Sequence, residues 1–127
     1  MRIHGIGTDI INIKRIKKSI SKTNFLEKLF NKIEIKRCES QMNKVNCYAK
    51  RFAAKEAFSK ALGTGISKGI KFDEIVINNV KSGKPHIKLI GNTKKKVNKI
   101  LKNKKFIIYL SLSDDKLFAV ATVVISL

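Results

Sequence analysis

The stretch Asn46-Cys47-Tyr48-Ala49-Lys50-Arg51-Phe52-Ala53-Ala54-Lys55-Glu56-Ala57-Phe58-Ser59-Lys60-Ala61-Leu62 contains neither Gly nor Pro and stops at Gly63-Thr64-Gly65. Its alanines raise helix propensity, so the spacing predicts a long helix over 46–62. Ala49, Ala53, Ala57 and Ala61 form one i,i+4 row, a smooth stripe that lets a neighbour approach closely. Tyr48, Phe52, Phe58 and Leu62 cover other directions, and a helix that is apolar nearly all round is a buried one. Gly63 suits a left-handed C-terminal cap. The fold is therefore expected to be built around this helix.

On the N-terminal side, Ile3 to Ile11 is mostly apolar and reads as a strand. Gly5 and Gly7 inside it mark a bulge or a close backbone approach. Asn12 is placed to cap a following helix whose buried face is Ile13, Ile16 and Ile20. Two further short helices are expected around Phe25–Phe30 and Ile33–Met42. Beyond the central helix the period changes. Phe72–Asn79 and His86–Ile90 read as paired strands, Thr93–Leu101 as a Lys-rich helix, and Phe106–Ser113 and Leu117–Ile125 as strands joined at Asp114-Asp115-Lys116. No repeat and no linker divides the chain. The expectation is one α+β domain over 1–127, a mainly antiparallel sheet wrapped around the long buried helix.

The 127 residues carry 28 Lys plus Arg against 9 Asp plus Glu, a formal net charge of +19. That charge by itself suggests a small nucleic-acid-binding protein. Three features weaken the suggestion. Only Arg2, Arg15, Arg37 and Arg51 are arginines, whereas sequence readers rely on the arginine fork. The Lys, Asn and Ile excess fits AT-rich coding. The two Tyr and seven Phe fall mainly on apolar faces, without the alternation of exposed aromatic and basic residues that a stacking platform needs. No run of 18 apolar residues reads as a membrane span, and no leader segment is evident at Met1 to Gly5. Cys38 and Cys47 form no C-x-x-C pair, and His4 and His86 lie near neither, so no zinc site is expected. They are read as two reduced thiols of a cytosolic protein.

With nine acids in all, a carboxylate in an apolar setting stands out. Asp9 lies in Ile6-Gly7-Thr8-Asp9-Ile10-Ile11, and Glu56 lies in the central helix. A carboxylate there is costly unless paired or bound to a cation. One reading pairs Glu56 with Lys60 as an ordinary i,i+4 ion pair. The other joins Glu56 to Asp9 as hard oxygen ligands for Mg²⁺, which binds through one or two carboxylates plus substrate phosphates. Lys60 is then a point charge for a phosphate oxygen, and the Gly63-Thr64-Gly65 turn offers backbone N–H groups. No Walker pattern occurs.

The sixteen residues Arg51 to Ile66 closely resemble the signature of the holo-[acyl-carrier-protein] synthase family, the short bacterial-type 4′-phosphopantetheinyl transferases. Gly5-Ile6-Gly7-Thr8-Asp9-Ile10, Gly83-Lys84-Pro85, and Leu110-Ser111-Leu112-Ser113-Asp114 with Ala119-Val120-Ala121 match its other motifs. The resemblance implies one transferase domain that moves phosphopantetheine from coenzyme A to a serine of apo-acyl carrier protein. Adenosine 3′,5′-bisphosphate leaves, and the product serves fatty acid biosynthesis. By position, Asp9 and Glu56 hold Mg²⁺, and Glu56 takes the serine proton directly or through a water. Lys60 meets the phosphates. Arg51, Lys60, Gly63, Thr64 and Gly65 hold coenzyme A, and Arg15 and Lys22 meet the acidic carrier. The resemblance further implies a cytoplasmic homotrimer with active sites at subunit boundaries. Two positions depart from the pattern. Asn12 stands where a Glu is frequent, and Asp114 stands where some members have a His. Asp114 is therefore given no phosphate-binding role.

Overall fold

A computed structural model describes residues 1–64 and 69–127. The chain runs β1 (Ile3–Asn12), α1 (Ile13–Ile20), α2 (Phe25–Leu29), α3 (Lys32–Glu39) and α4 (Lys44–Leu62). After a 3₁₀ turn at Phe72–Glu74 come β2 (Ile75–Asn79), β3 (Pro85–Leu89), α5 (Gly91–Ile100), β4 (Ile107–Asp114) and β5 (Phe118–Ser126). The strands are antiparallel, in a three-stranded sheet ordered β1-β5-β4 and a two-stranded sheet β2-β3. This is the expected α+β arrangement around the central helix.

Two glycines bring β1 against α4. A Cβ on Gly5 would stand 1.9 Å from the Ala61 carbonyl oxygen, and one on Gly7 would stand 1.9 Å from that of Ala57. The glycines of the strand thus face the alanine row of the helix, and the two backbones touch. Ala53, Ala57, Ala119, Ala121 and Val123 are all fully buried in the core. One buried cluster extends from Ile11 to Ile125.

Element ends differ from the sequence reading where a side chain caps a helix from outside its apolar pattern. The central helix starts at Lys44 because the Asn43 side chain accepts the Asn46 N–H at 3.3 Å. The region read as a strand from Phe72 first makes a 3₁₀ turn. Glu74 of that turn accepts hydrogen bonds from Thr93 N (3.1 Å) and Thr93 Oγ1 (2.8 Å), which starts α5 at Gly91 rather than Thr93. Asn12 caps α1 as expected, accepting the Lys14 N–H at 2.9 Å. Gly63 takes the left-handed cap conformation, φ +94°.

The cysteine expectation is overturned. Cys38 and Cys47 form a disulfide. The α3–α4 turn folds the last turn of one helix onto the first turn of the next, bringing the two Cα atoms to 5.4 Å. A spacing of nine residues does not reveal that juxtaposition, which is within the usual range for a disulfide.

Candidate active site

The β1–α4 contact sets the site. Gly5 meets Ala61 and Gly7 meets Ala57, so two strand residues advance about as far as one helical turn. The next step carries Asp9 toward the turn from Ala53 to Glu56. Its side chain is largely covered, 17 % exposed, and Lys60 Nζ donates to Asp9 Oδ1 at 3.2 Å and to the Thr8 carbonyl at 3.0 Å. The lysine therefore reaches across to the strand, and no salt bridge joins it to Glu56 among the described residues. The i,i+4 ion pair is not the arrangement adopted.

The Glu56 carboxyl is pushed above the usual carboxylate range, first by burial and then by the negative charge of Asp9, with Lys60 opposing. Glu56 opens onto a cavity of about 540 Å³ whose other walls include Leu29, Phe52, Ile70, Phe72 and Asp73. Two like charges in one partly desolvated corner, with one flexible ammonium beside them, form a setting that takes up positive charge or a proton.

Arg51 lies elsewhere. Five positions from Glu56 on the same helix is about 140° of rotation, so the two side chains leave different faces. Arg51 is 4 % exposed. Its Nη2 donates to Asn79 Oδ1 at 3.0 Å, and its Nη1 donates to Cys47 Sγ at 3.2 Å and the Cys47 carbonyl at 3.4 Å. Its Nε has no partner among the described residues. It lines a pocket of about 350 Å³ with Arg37, Asn46, Lys50 and Asp114. Asp114 is already engaged there, accepting from Asn46 Nδ2 at 2.6 Å and pairing with Lys50 at 3.6 Å.

Gly63 closes α4, and its N–H donates to the Ser59 and Lys60 carbonyls at 3.2 and 3.1 Å. That N–H is thus committed to the helix cap. Thr64 follows it, half-buried, and Gly65 lies outside the described residues. Arg15 and Lys22 are both exposed, Arg15 on the solvent side of α1, whose Ile13 and Ile16 are buried. Within one chain, Asp9, Glu56 and Lys60 come together, while Arg51 lines a different pocket and no ion pair joins Arg15 or Lys22 to them among the described residues. Among the described residues no group of three or more His, Cys, Asp or Glu clusters as a metal cage. No helix there is long and apolar enough to cross a membrane.

The sequence reading missed a buried ion pair. Lys55 Nζ donates to Glu34 Oε1 at 2.7 Å, and both side chains are fully buried. One signal was available: Asn31-Lys32-Ile33-Glu34 fits a capping box. Glu34 Oε1 does accept the Asn31 N–H at 2.9 Å.

Residues 5–121 match the family model described as the 4′-phosphopantetheinyl transferase superfamily. The chain belongs to that superfamily. Within it, the chain falls in the holo-[acyl-carrier-protein] synthase family. It is 44 % identical over 125 residues to the holo-[acyl-carrier-protein] synthase of Pelagibacter ubique, covering 98 % of both chains. It is 44 % identical over 126 residues to that of Rhizobium rhizogenes, covering 97 % of this chain and 94 % of the relative. The crystal structure of the Neisseria meningitidis holo-[acyl-carrier-protein] synthase superposes with a TM-score of 0.86 at 36 % identity, covering 98 % of each chain. A Helicobacter pylori holo-[acyl-carrier-protein] synthase solved in complex with coenzyme A gives a TM-score of 0.78 at 35 % identity, covering 95 % of this chain and 99 % of that one. The chain is thus a phosphopantetheinyl transferase by family.

Proposed function

We propose that the chain transfers 4′-phosphopantetheine from coenzyme A to a serine of apo-acyl carrier protein, with Mg²⁺, in support of fatty acid biosynthesis. The observation that carries this reading is the meeting of Asp9, Glu56 and Lys60 where β1 crosses α4. The serine Oγ forms a bond to the β-phosphorus of coenzyme A. The bond from that phosphorus to the bridging oxygen breaks, and adenosine 3′,5′-bisphosphate leaves. Glu56, held above the usual carboxylate range, is suited to accept the serine proton. Lys60 is suited to shift from Asp9 toward a phosphate oxygen and offset charge on the leaving group.

The donor set fits Mg²⁺. Asp9 and Glu56 are hard oxygen donors, and the negative charge of Asp9 disfavours an ionised Glu56 until a cation arrives. When bound, the ion supplies charge neutralisation on the pyrophosphate. Asn12 adds no negative charge and uses its Oδ1 to cap α1, which favours Asp9 and Glu56 as the ligand pair.

Two further features support a subunit-boundary site. The cationic Arg51 pocket and the Glu56 cavity leave α4 on different sides, so one coenzyme A that uses both draws them from two copies. The outer face of the three-stranded sheet carries Ile6, Ile10 and Tyr109 at 66 %, 63 % and 43 % exposure, apolar area that a homotrimer covers. The basic face of α1, with Arg15, and nearby Lys22 suit an acidic carrier. The reading takes the whole chain, 1–127, as one domain acting in the cytoplasm.

The test incubates purified protein with apo-acyl carrier protein, coenzyme A and Mg²⁺, and weighs the carrier by mass spectrometry. The expected result is a gain of one phosphopantetheine, abolished by a chelator. An unchanged carrier mass would falsify the reading.

A further inference from the structure

Among the buried charges that the proposed chemistry does not use, the Lys55–Glu34 pair has the most complete set of partners. All three ammonium protons of Lys55 are donated: to Glu34 Oε1 (2.7 Å), to the Phe72 carbonyl (2.7 Å) and to the Ile75 carbonyl (2.5 Å). The Phe30 ring lies under the same Nζ, 5.4 Å to its centroid. Glu34 is equally occupied. Its Oε1 also accepts the Asn31 N–H at 2.9 Å, and its Oε2 accepts the Ile77 N–H at 3.1 Å. Both residues are 0 % exposed.

Burying two charges costs desolvation that an apolar pair of equal volume avoids, so such a pair is weak evidence for stability. What this one does is geometric. Phe72 and Ile75 bracket the 3₁₀ turn Phe72–Glu74, and one ammonium binds the carbonyl at each end. Phe72 and Asp73 of that turn form the cavity wall across from Glu56, the residue that follows Lys55 in α4. The T-shaped contact between Phe52 and Phe72, centroids 5.8 Å apart, closes the wall against the helix. Glu34 anchors the ammonium from α3 and also grips β2 through Ile77. The pair therefore fixes the gap between Glu56 and the wall it faces.

We propose that Lys55, held by Glu34, is a positioning residue for phosphopantetheine transfer, setting the cavity wall against which Glu56 works. The inference rests on the transferase reading above. It places no substrate contact on Lys55. The side chain acts through the Phe72–Glu74 turn, and loss of its grip lets the wall drift from the carboxylate. Misplacement of about 1 Å in reacting groups can cost about a hundredfold in rate. Arg51 lies one turn before Lys55 on the same side of α4, and its charge interacts with those of both Lys55 and Glu34. Its hydrogen bonds, however, go to Asn79 and Cys47, so the main loss is expected at the Glu56 wall and a smaller one in coenzyme A affinity.

The experiment compares Lys55→Met and Glu34→Gln with the wild type. Folding is followed by circular dichroism, and steady-state kinetics are measured well below each variant's Tm. The expected result for folded Lys55→Met is a kcat about tenfold to a hundredfold lower, with a smaller change in KM for coenzyme A than in kcat. A role in stability alone lowers Tm and leaves turnover per folded molecule intact, and that result overturns the proposal. If Lys55→Met does not fold, Glu34→Gln is judged by the same kcat and KM criteria. If neither folds, the pair is a folding element and the proposal is overturned. A wild type that transfers nothing instead sinks the transferase reading, and this inference falls with it.

Discussion

Lys60 reaches from the last turn of α4 to Asp9 on β1, 3.2 Å from Nζ to Oδ1 across 51 residues of sequence, instead of pairing with Glu56 one turn away on its own helix. Its ammonium thereby offsets both carboxylates at once. It touches Asp9, and its field draws the Glu56 carboxyl down against burial and Asp9, which push it up. Lys60→Met removes that offset. The Glu56 carboxyl then rises further, and the acidic limb of the kcat/KM profile moves to higher pH. Turnover falls about 10²–10³-fold, because a charge that stabilises the leaving group is also lost. A pH series on both proteins reads this directly, and an acidic limb that stays in place contradicts the assignment.

Glu56 should stabilise the protein less than a neutral side chain does. Its folded-state pKa lies above the ordinary value, so the fold favours the protonated form. The contribution is fully present below the ordinary carboxylate pKa and is lost as pH rises through the raised one. Without divalent cations, Glu56→Gln is therefore expected to flatten the fall of Tm across that window and to melt higher than wild type at neutral pH. It is also expected to lose activity. Mg²⁺ should raise the Tm of the wild type and leave the variant unchanged, since a ligand stabilises only the state that binds it. Parallel melting curves that keep the same spacing at every pH count against a strained carboxylate.

The Cys38–Cys47 disulfide ties α3 to α4 immediately beside Arg51, whose Nη1 donates to Cys47 Sγ at 3.2 Å. Closing a loop of this size contributes about 3 kcal/mol on the chain-entropy model. Reduction, or the double substitution Cys38→Ser with Cys47→Ser, should lower the urea midpoint accordingly. It should also raise KM for coenzyme A, because the Cys47 group that accepts from Arg51 Nη1 is no longer tethered to α3 and the Arg51 Nε has no partner to hold the guanidinium among the described residues. Denaturation with and without a dithiol, alongside coenzyme A kinetics, separates the two effects. Coincident unfolding curves would show that the bond is absent from the protein in solution.

The central helix was legible because its signals are local: an alanine row, an absence of breakers and a terminal glycine. The alanine row and the pair Gly5 and Gly7 each signalled a close approach, but that they approach one another, and so bring Asp9 to Lys60, depends on how β1 crosses α4. Asp9 and Glu56 were conspicuous because a chain with few acids put two of them among isoleucines and alanines. Less legible were features that depend on which elements meet. Glu34 looks like one more charge in a polar helix, and only the placement of α4 and the Phe72–Glu74 turn buries it against Lys55. Cys38 and Cys47 belong to different helices, and their contact depends on the turn between them. Arg51 and Glu56 look like parts of one motif, yet the helical period points them into separate pockets.

That separation bears on the carrier protein as well. Arg15 lies on the exposed face of α1, Lys22 is exposed just beyond the end of that helix, and neither lines the Arg51 pocket or bonds to Lys55. Charge reversal at Arg15 and Lys22 together should therefore weaken the carrier selectively. The expected outcome is a higher KM for apo-acyl carrier protein with KM for coenzyme A unchanged. Attraction between exposed charges is screened within about 8–10 Å at ordinary ionic strength, so wild-type KM for the carrier should climb with salt. The double variant should have lost most of that salt dependence. Titrating the carrier at several salt concentrations for both proteins tests the pairing. Equal salt slopes would move the docking surface off α1 and onto another of the lysine-rich faces.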